Sequence, residues 1–249
     1  MKKILLIFVL SAAALSSKAQ QVNFKINVPL NSAYQSVTTM KTDLDGAQSM
    51  IMDMVVKNTL TNTKQEGGNF TFQSITNAVK VDMDAGMMTM SYDSENPSDD
   101  EMSKMLAGEM DKLIGKKITM NMSAKGELLN FQQENEEDGP SSNPFENMGI
   151  TASYPDKAVN PGETWESQVE NAGMLVKMLN KYVGKTADGY VIESKGEVLS
   201  ETSEKLGDYL ANYTLDEKTH FTKTATIKMD MSIQGQKVLS EVAVTNTPK

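Results

Sequence analysis

From residue 22 to residue 245 the chain keeps returning to one pattern, in which apolar, Thr or aromatic residues alternate with polar ones until Gly, Asn or Asp interrupts the run. A period of two is that of a half-buried β-strand, because successive side chains point to opposite faces. Methionine makes the pattern sharp: Met50-x-Met52-x-Met54, Met88-x-Met90, Met120-x-Met122 and Met229-x-Met231 each set their thioethers on a single strand face. The runs predict strands over 22–28, 34–42, 49–61, 69–82, 87–93, 118–123, 127–132, 165–170, 174–183, 190–200, 209–215, 219–233 and 237–245. Turns are expected at 45–46, 67–68, 84–86, 125–126, 188–189 and 234–235, where Gly, Asp or Ala-Gly pairs accept positive φ.

One stretch changes period. Ser98-Asp99-Asp100-Glu101 reads as a capping box with acids at the positive end of a helix. Met102, Met105, Leu106, Met110, Leu113 and Ile114 then follow at helical spacing, and Gly115 is a natural stop. The helix is expected over about 99–114. Residues 133–149 are acidic and rich in Asn, Ser, Gly and Pro, which reads as a linker.

Two echoes organise the rest. ITMNMSAKG at 118–126 and IKMDMSIQG at 227–235 share Ile, both Met, Ser and Gly in register, with Asn121 opposite Asp230. VPLNSAYQS at 28–36 echoes VNPGETWES at 159–167, setting Tyr34 opposite Trp165 and Ser36 opposite Ser167. Both keep their order, so two similar halves are expected, 20–132 and 150–249, joined by the linker at 133–149. Tyr34 and Trp165 read as aromatics that anchor the first strand of each half.

Residues 1–19 carry Lys2 and Lys3, apolar runs at 4–10 and 12–15, and the small-residue end Ser17-Lys18-Ala19, the layout of a signal peptide. The expected protein is therefore exported, periplasmic or extracellular. No Cys follows the apolar segment, so no lipid anchor is expected, and no later run approaches the roughly 20 apolar residues of a membrane helix. With no Cys there are no disulfides, and stability rests on packing. All basic residues are Lys, and removing Lys2, Lys3 and Lys18 leaves 21 of them against 33 acids, a net charge of −12. Such a surface repels phosphate backbones and lacks Arg forks to grip them, which excludes nucleic acid as an expected partner.

The chain resembles the DUF6263 family, exported Bacteroidetes proteins of unknown function. The residues that carry the likeness are Tyr92-Asp93-Ser94, Leu113-Ile114-Gly115-Lys116-Lys117 running into Ile118, the turn Lys125-Gly126-Glu127-Leu128, Tyr154-Pro155-Asp156-Lys157 and Gly162-Glu163-Thr164-Trp165. All are turns and strand starts. The resemblance implies an exported β-rich protein and brings no catalytic, cofactor or metal residue.

The chemistry-bearing residues are few. His220, the single His, sits in a polar, Thr-rich stretch and reads as a solvated hairpin residue. A triad would also need a positioned nucleophile, and G-x-S-x-G is absent. The acids at 43–45, 82–84, 99–101 and 134–138 read as turns, a helix cap and the linker. A weak calcium site at Asp82-x-Asp84-x-Gly86 and a two-carboxylate cleft stay open as alternatives. The methionines carry the most informative choice. Met52, Met54, Met88, Met90, Met120, Met122, Met229 and Met231 are either packed core, the lining of a soft apolar cavity, or thioether ligands for Cu(I).

The expected architecture is mainly antiparallel β (α+β), with two similar curved-sheet or half-barrel halves and one amphipathic helix packed on a sheet face. The expected function is an exported, non-enzymatic module that binds an apolar small molecule or an envelope protein, with no cofactor. The alternatives are a carboxylate-dependent hydrolase of the envelope and a Met-based Cu(I)-binding protein.

Overall fold

A computed structural model describes residues 21–46, 49–133, 151–171, 173–233 and 235–249. The expected signal peptide and nearly all of the expected linker lie outside the described residues. Twelve antiparallel strands form one sheet: β1 (Ala33–Asp45), β2 (Met50–Glu66), β3 (Asn69–Asp84), β4 (Thr89–Asp93), β5 (Lys117–Ser123), β6 (Leu128–Gln133), β7 (Thr164–Asn171), β8 (Met174–Lys185), β9 (Tyr190–Ser200), β10 (Lys205–Leu215), β11 (Thr222–Ile233) and β12 (Gln236–Pro248). Their order is β6-β5-β3-β2-β1-β12-β11-β10-β9-β8-β7, with β4 paired to the upper part of β3. Strands β1 to β6 thus lie on one side of the β1–β12 seam and β7 to β12 on the other. Tyr34 and Trp165 each stand second in the strand that opens its side.

Five of the six expected turns, and Gly235 of the sixth, join paired strands, while Gln234 lies outside the described residues. Gly67 and Gly68 both take positive φ (60° and 85°), the conformation that lets a two-residue turn follow the twist of β2 and β3. The 174–183 run is strand β8, closed onto β9 through Asp188-Gly189.

The sheet is rolled. Laid flat at roughly 4.8 Å per strand, its edges β6 and β7 would stand about 48 Å apart. Instead the Tyr154 amide donates to the Lys125 carbonyl in the β5–β6 turn (3.0 Å), and the Trp165 indole on β7 donates to the carbonyl of the adjacent Ser153 (3.0 Å). Neighbouring Cα atoms are only about 3.8 Å apart, so one short segment ties both edges together. The Thr151 hydroxyl adds a bond to the Gly126 carbonyl (2.7 Å), and Lys125 pairs with Asp156. Register shifts at Lys57/Asn58, Tyr182/Gly184 and Lys205/Gly207 supply the local bends that rolling requires.

Residues 21–28 are extended as expected but join no sheet strand beyond one bridge, Val22 to Val159. They form a strap across the inner face. The Ile26 amide donates to the Ala124 carbonyl (2.8 Å), the Asn27 amide to the Thr219 carbonyl (2.8 Å), and buried Asn62 donates from Nδ2 to the Val28 carbonyl (2.9 Å). Val22, Phe24, Ile26 and Val28 are buried while their neighbours face solvent. The strap therefore closes the end of the roll that carries the β2–β3, β5–β6, β8–β9 and β10–β11 turns.

The helix, α1 (Glu101–Met110), continues as a 3-10 turn at Asp111–Leu113. It begins later than expected because Asp100, not Ser98, is the cap: its carboxylate accepts the Ser103 amide (2.9 Å). Leu106, Ala107 and Met110 pack against the core, but Met105 is exposed. The Ser103 hydroxyl donates to the Ser91 carbonyl, so α1 covers the free side of β4, an edge that would otherwise invite pairing with another chain.

Candidate functional site

Directly paired residues on neighbouring strands share a face, so the register defines rows across the inner surface. At mid-length the row Tyr92, Val81, Met54, Met40, Val242, Ile227 and Ala211 is buried throughout. One step toward the end opposite the strap, the row reads Met90, Met83, Met52, Thr42, Ser240, Met229, Tyr209, Gly196 and Met178. Here Met90, Met83, Met52 and Met229 are only partly buried. The next row outward, Met50, Leu44, Val238, Met231 and Gly207, is again partly buried except for Met231.

Burial thus falls along the roll. The strap end is filled by aromatics: the Phe24 ring meets Tyr182 and Tyr190 edge-on at 5.1 and 5.6 Å and His220 at 5.5 Å. The far end exposes a methionine-rich inner surface. No cap like the strap stands over it among the described residues.

The sequence candidates divide accordingly. Met52, Met90 and Met229 come together in one partly buried row, and Met54 lies one row deeper. Met120 and Met122 are packed core near the strap end, on β5, and Met231 is buried in the outermost row. Met88 is exposed on the β3–β4 turn. Met83 and Met178 belong to the same row but stand outside the Met-x-Met sets, so spacing along the chain does not single them out. Only the register does.

His220 corrects the sequence expectation. It does sit in a hairpin, the β10–β11 turn, but only half solvated: it adopts positive φ (51°), with its ring on Phe24 and Tyr190 and Nδ1 3.2 Å from the Lys25 amide. The expected strand start at 219 moves to Thr222 because Asp216 gathers the turn, accepting the Lys218 and Thr219 amides at 2.9 Å. Burial lowers the pKa of His220, against the opposing pull of the Lys25 backbone and Asp216.

Carboxylates line a cleft of about 350 Å³ beside the helix start, where Asp53, Asp82, Asp84 and Asp100 meet Ile51 and the inner-row methionines Met83 and Met90. Three of the four have structural partners. Asp84 accepts the Gly86 amide (2.8 Å), Asp82 accepts the Ser91 hydroxyl (2.7 Å), and Asp100 caps α1 and is held below the usual carboxylate range by Ser103 and Ser98. Among the described residues, Glu66, Asp93, Asp100, Glu163 and Asp216 are all shifted downward, the direction opposite to that of a general acid. No group of three His, Asp or Glu among them is arranged to hold a metal ion.

Residues 67–136 match DUF6263, a family of unknown function. The match contains the Tyr92, Leu113 and Lys125 motifs, whereas the Tyr154 and Gly162 motifs lie beyond it. No curated protein sequence matches the chain. A solved lipovitellin structure, described by its lipid–protein interactions, is similar at a TM-score of 0.54 and 9% identity, over 90% of this chain and 25% of that one. The likeness shows the fold, and this chain spans about a quarter of the lipovitellin length. A Vibrio parahaemolyticus domain named for outer membrane lipoprotein sorting covers 85% of this chain and 83% of its own, at 11% identity and a TM-score of 0.26. That score is too low to bear on the fold. No helix among the described residues is long and apolar enough to cross a membrane.

Proposed function

We propose that the protein is an exported, non-enzymatic binding module that holds an apolar ligand on the methionine-rich inner face at the end opposite the strap. The observation that carries this reading is the row in which Met90, Met83, Met52 and Met229 stay partly buried while the rows toward the strap are closed. Unbranched thioether chains repack around varied shapes, which suits a flexible acyl chain better than a rigid polar substrate. The lipovitellin-like roll supports the same reading, since that structure is described by its lipid–protein interactions. The engagement of Asp82, Asp84 and Asp100 in strand, turn and helix-cap hydrogen bonds favours it over a carboxylate-dependent hydrolase.

Titration with a fluorescent long-chain fatty acid tests the proposal. Saturable binding is expected, and Met52→Glu with Met229→Glu should weaken it by at least about tenfold, because the ligand would have to desolvate two carboxylates. Met120→Leu, in the packed core, should leave affinity within about twofold. Absence of saturable binding, or equal loss in both variants, would contradict it.

A further inference from the structure

The two ends of the roll differ in chemistry as well as closure. At the strap end, three of the four stretches between strands carry charge: 124–127 holds Lys125 and Glu127, 186–189 holds Asp188, and 216–221 holds Asp216, Glu217 and Lys218. At the open end, the described residues between strands at 46, 49, 85–88, 173 and 235 carry no charge, and among the described residues there only Glu201 and Glu204 do. The open end also carries the most exposed large apolar side chain among the described residues. Met87 is fully exposed and Met88 is 51% exposed on the β3–β4 turn, with Ile51 40% exposed beside it, opposite Asp84. The one acid at that turn is engaged, since the Asp84 carboxylate accepts the Gly86 amide.

We infer that this tip docks the open end onto an electrically neutral lipid surface. The inference deepens the proposed function and rests on it for its purpose, the passage of an apolar ligand between a lipid layer and the inner face without crossing water. Three observations select lipid over a protein partner. Protein hot spots are built on Trp, Tyr and Arg, whereas the chain has no Arg and the open-end stretches hold no aromatic residue. Met87 and Met88 are flexible and unbranched, suited to insertion among acyl chains rather than into a fitted pocket. The tip is continuous with the methionine face, because Met90 follows two residues after Met88 and opens the partly buried row. The charge balance selects neutral over anionic lipid, because the expected exported form, with 21 Lys against 33 acids and a net charge of −12, is repelled by an anionic surface.

Co-flotation of the full chain with phosphatidylcholine vesicles, without added ligand, tests the docking. The wild-type protein is expected to float, and Met87→Ser with Met88→Ser should lower the vesicle-bound fraction by about tenfold, the loss of two apolar side chains from the lipid. Met87→Leu with Met88→Leu should retain binding, and adding phosphatidylserine should weaken it. Equal flotation of the serine variant and wild type, or no flotation of the wild type, would overturn the proposal, and the second result would leave a protein partner as the reading of the tip. Fatty-acid binding in solution is read separately from flotation. Loss of flotation with intact fatty-acid binding in the serine variant supports docking. Flotation that depends on Met87 and Met88 in a protein that binds no fatty acid removes the proposed ligand and leaves the docking standing.

Discussion

His220 is the chain's single imidazole, and its surroundings make it a usable reporter. Its folded pKa lies below 6.5, so in the window between the folded value and 6.5 the unfolded chain holds a proton that the folded chain does not. Stability therefore rises with pH across that window and falls as pH drops below about 6.5. Chemical denaturation between pH 7.5 and 5.5 should show this loss in the wild type and a smaller one in His220→Asn, a residue that tolerates the positive φ at this position. Equal pH dependence in the two proteins would show that burial does not hold the ring neutral. The sequence could not reveal this burial, because the contact that creates it comes from Lys25 and Phe24, 195 residues away along the chain in the case of Lys25. Methionine faces are a different case. Period two shows that Met52 and Met54 share a face, but the distance of a given row from a closed end depends on register, which the spacing does not contain.

At the scale of elements, the strap and the hairpins behave differently. The hairpins are local objects, and Gly67-Gly68, Asp84-Ala85-Gly86 and Gln234-Gly235 announce them through residues that accept positive φ. The strap is extended and alternating like a strand, yet its amides bond to Val159, Ala124 and Thr219 on three separate segments. Alternation reports a half-buried extended chain and is silent about what it pairs with. Asn62 is the buried side-chain link between the strap and β2, beside Gln65, which donates to the same Val28 carbonyl: it donates from Nδ2 to the carbonyls of Val28 (2.9 Å) and Pro29 (3.2 Å). Asn62→Ala should leave those carbonyls without that donor and cost about 1–3 kcal/mol in urea denaturation. Hydrogen exchange should rise at the Ile26 and Asn27 amides before it rises at the strand amides of β11 and β12. A uniform change would mean that the strap is not held through Asn62. The helix shows an intermediate degree of legibility. Its existence and its acidic start follow from the sequence, while the exposure of Met105 reflects a helix laid along the side of β4 rather than flat on the sheet.

At the scale of the molecule, a sheet this wide must bury one face, and with a strap and one short helix to help among the described residues it does so by rolling. The antiparallel β class follows from the period-two pattern. The roll does not, because it depends on bonds from Tyr154 and Trp165 that bring together turns distant in sequence. Rolling gives the two ends different fates: aromatic packing and a strap at one, and at the other a partly buried methionine surface whose described inter-strand residues are charged only at Glu201 and Glu204. Each methionine ε-methyl gives its own signal, so one measurement reads all of them together. Methyl-labelled methionine spectra recorded during fatty-acid titration should show saturable shifts at Met52, Met83, Met90 and Met229, with Met120 and Met122 unmoved. Shifts centred on Met120 and Met122, or no saturable shifts at the open-end row, would contradict the assignment of that end as the binding face.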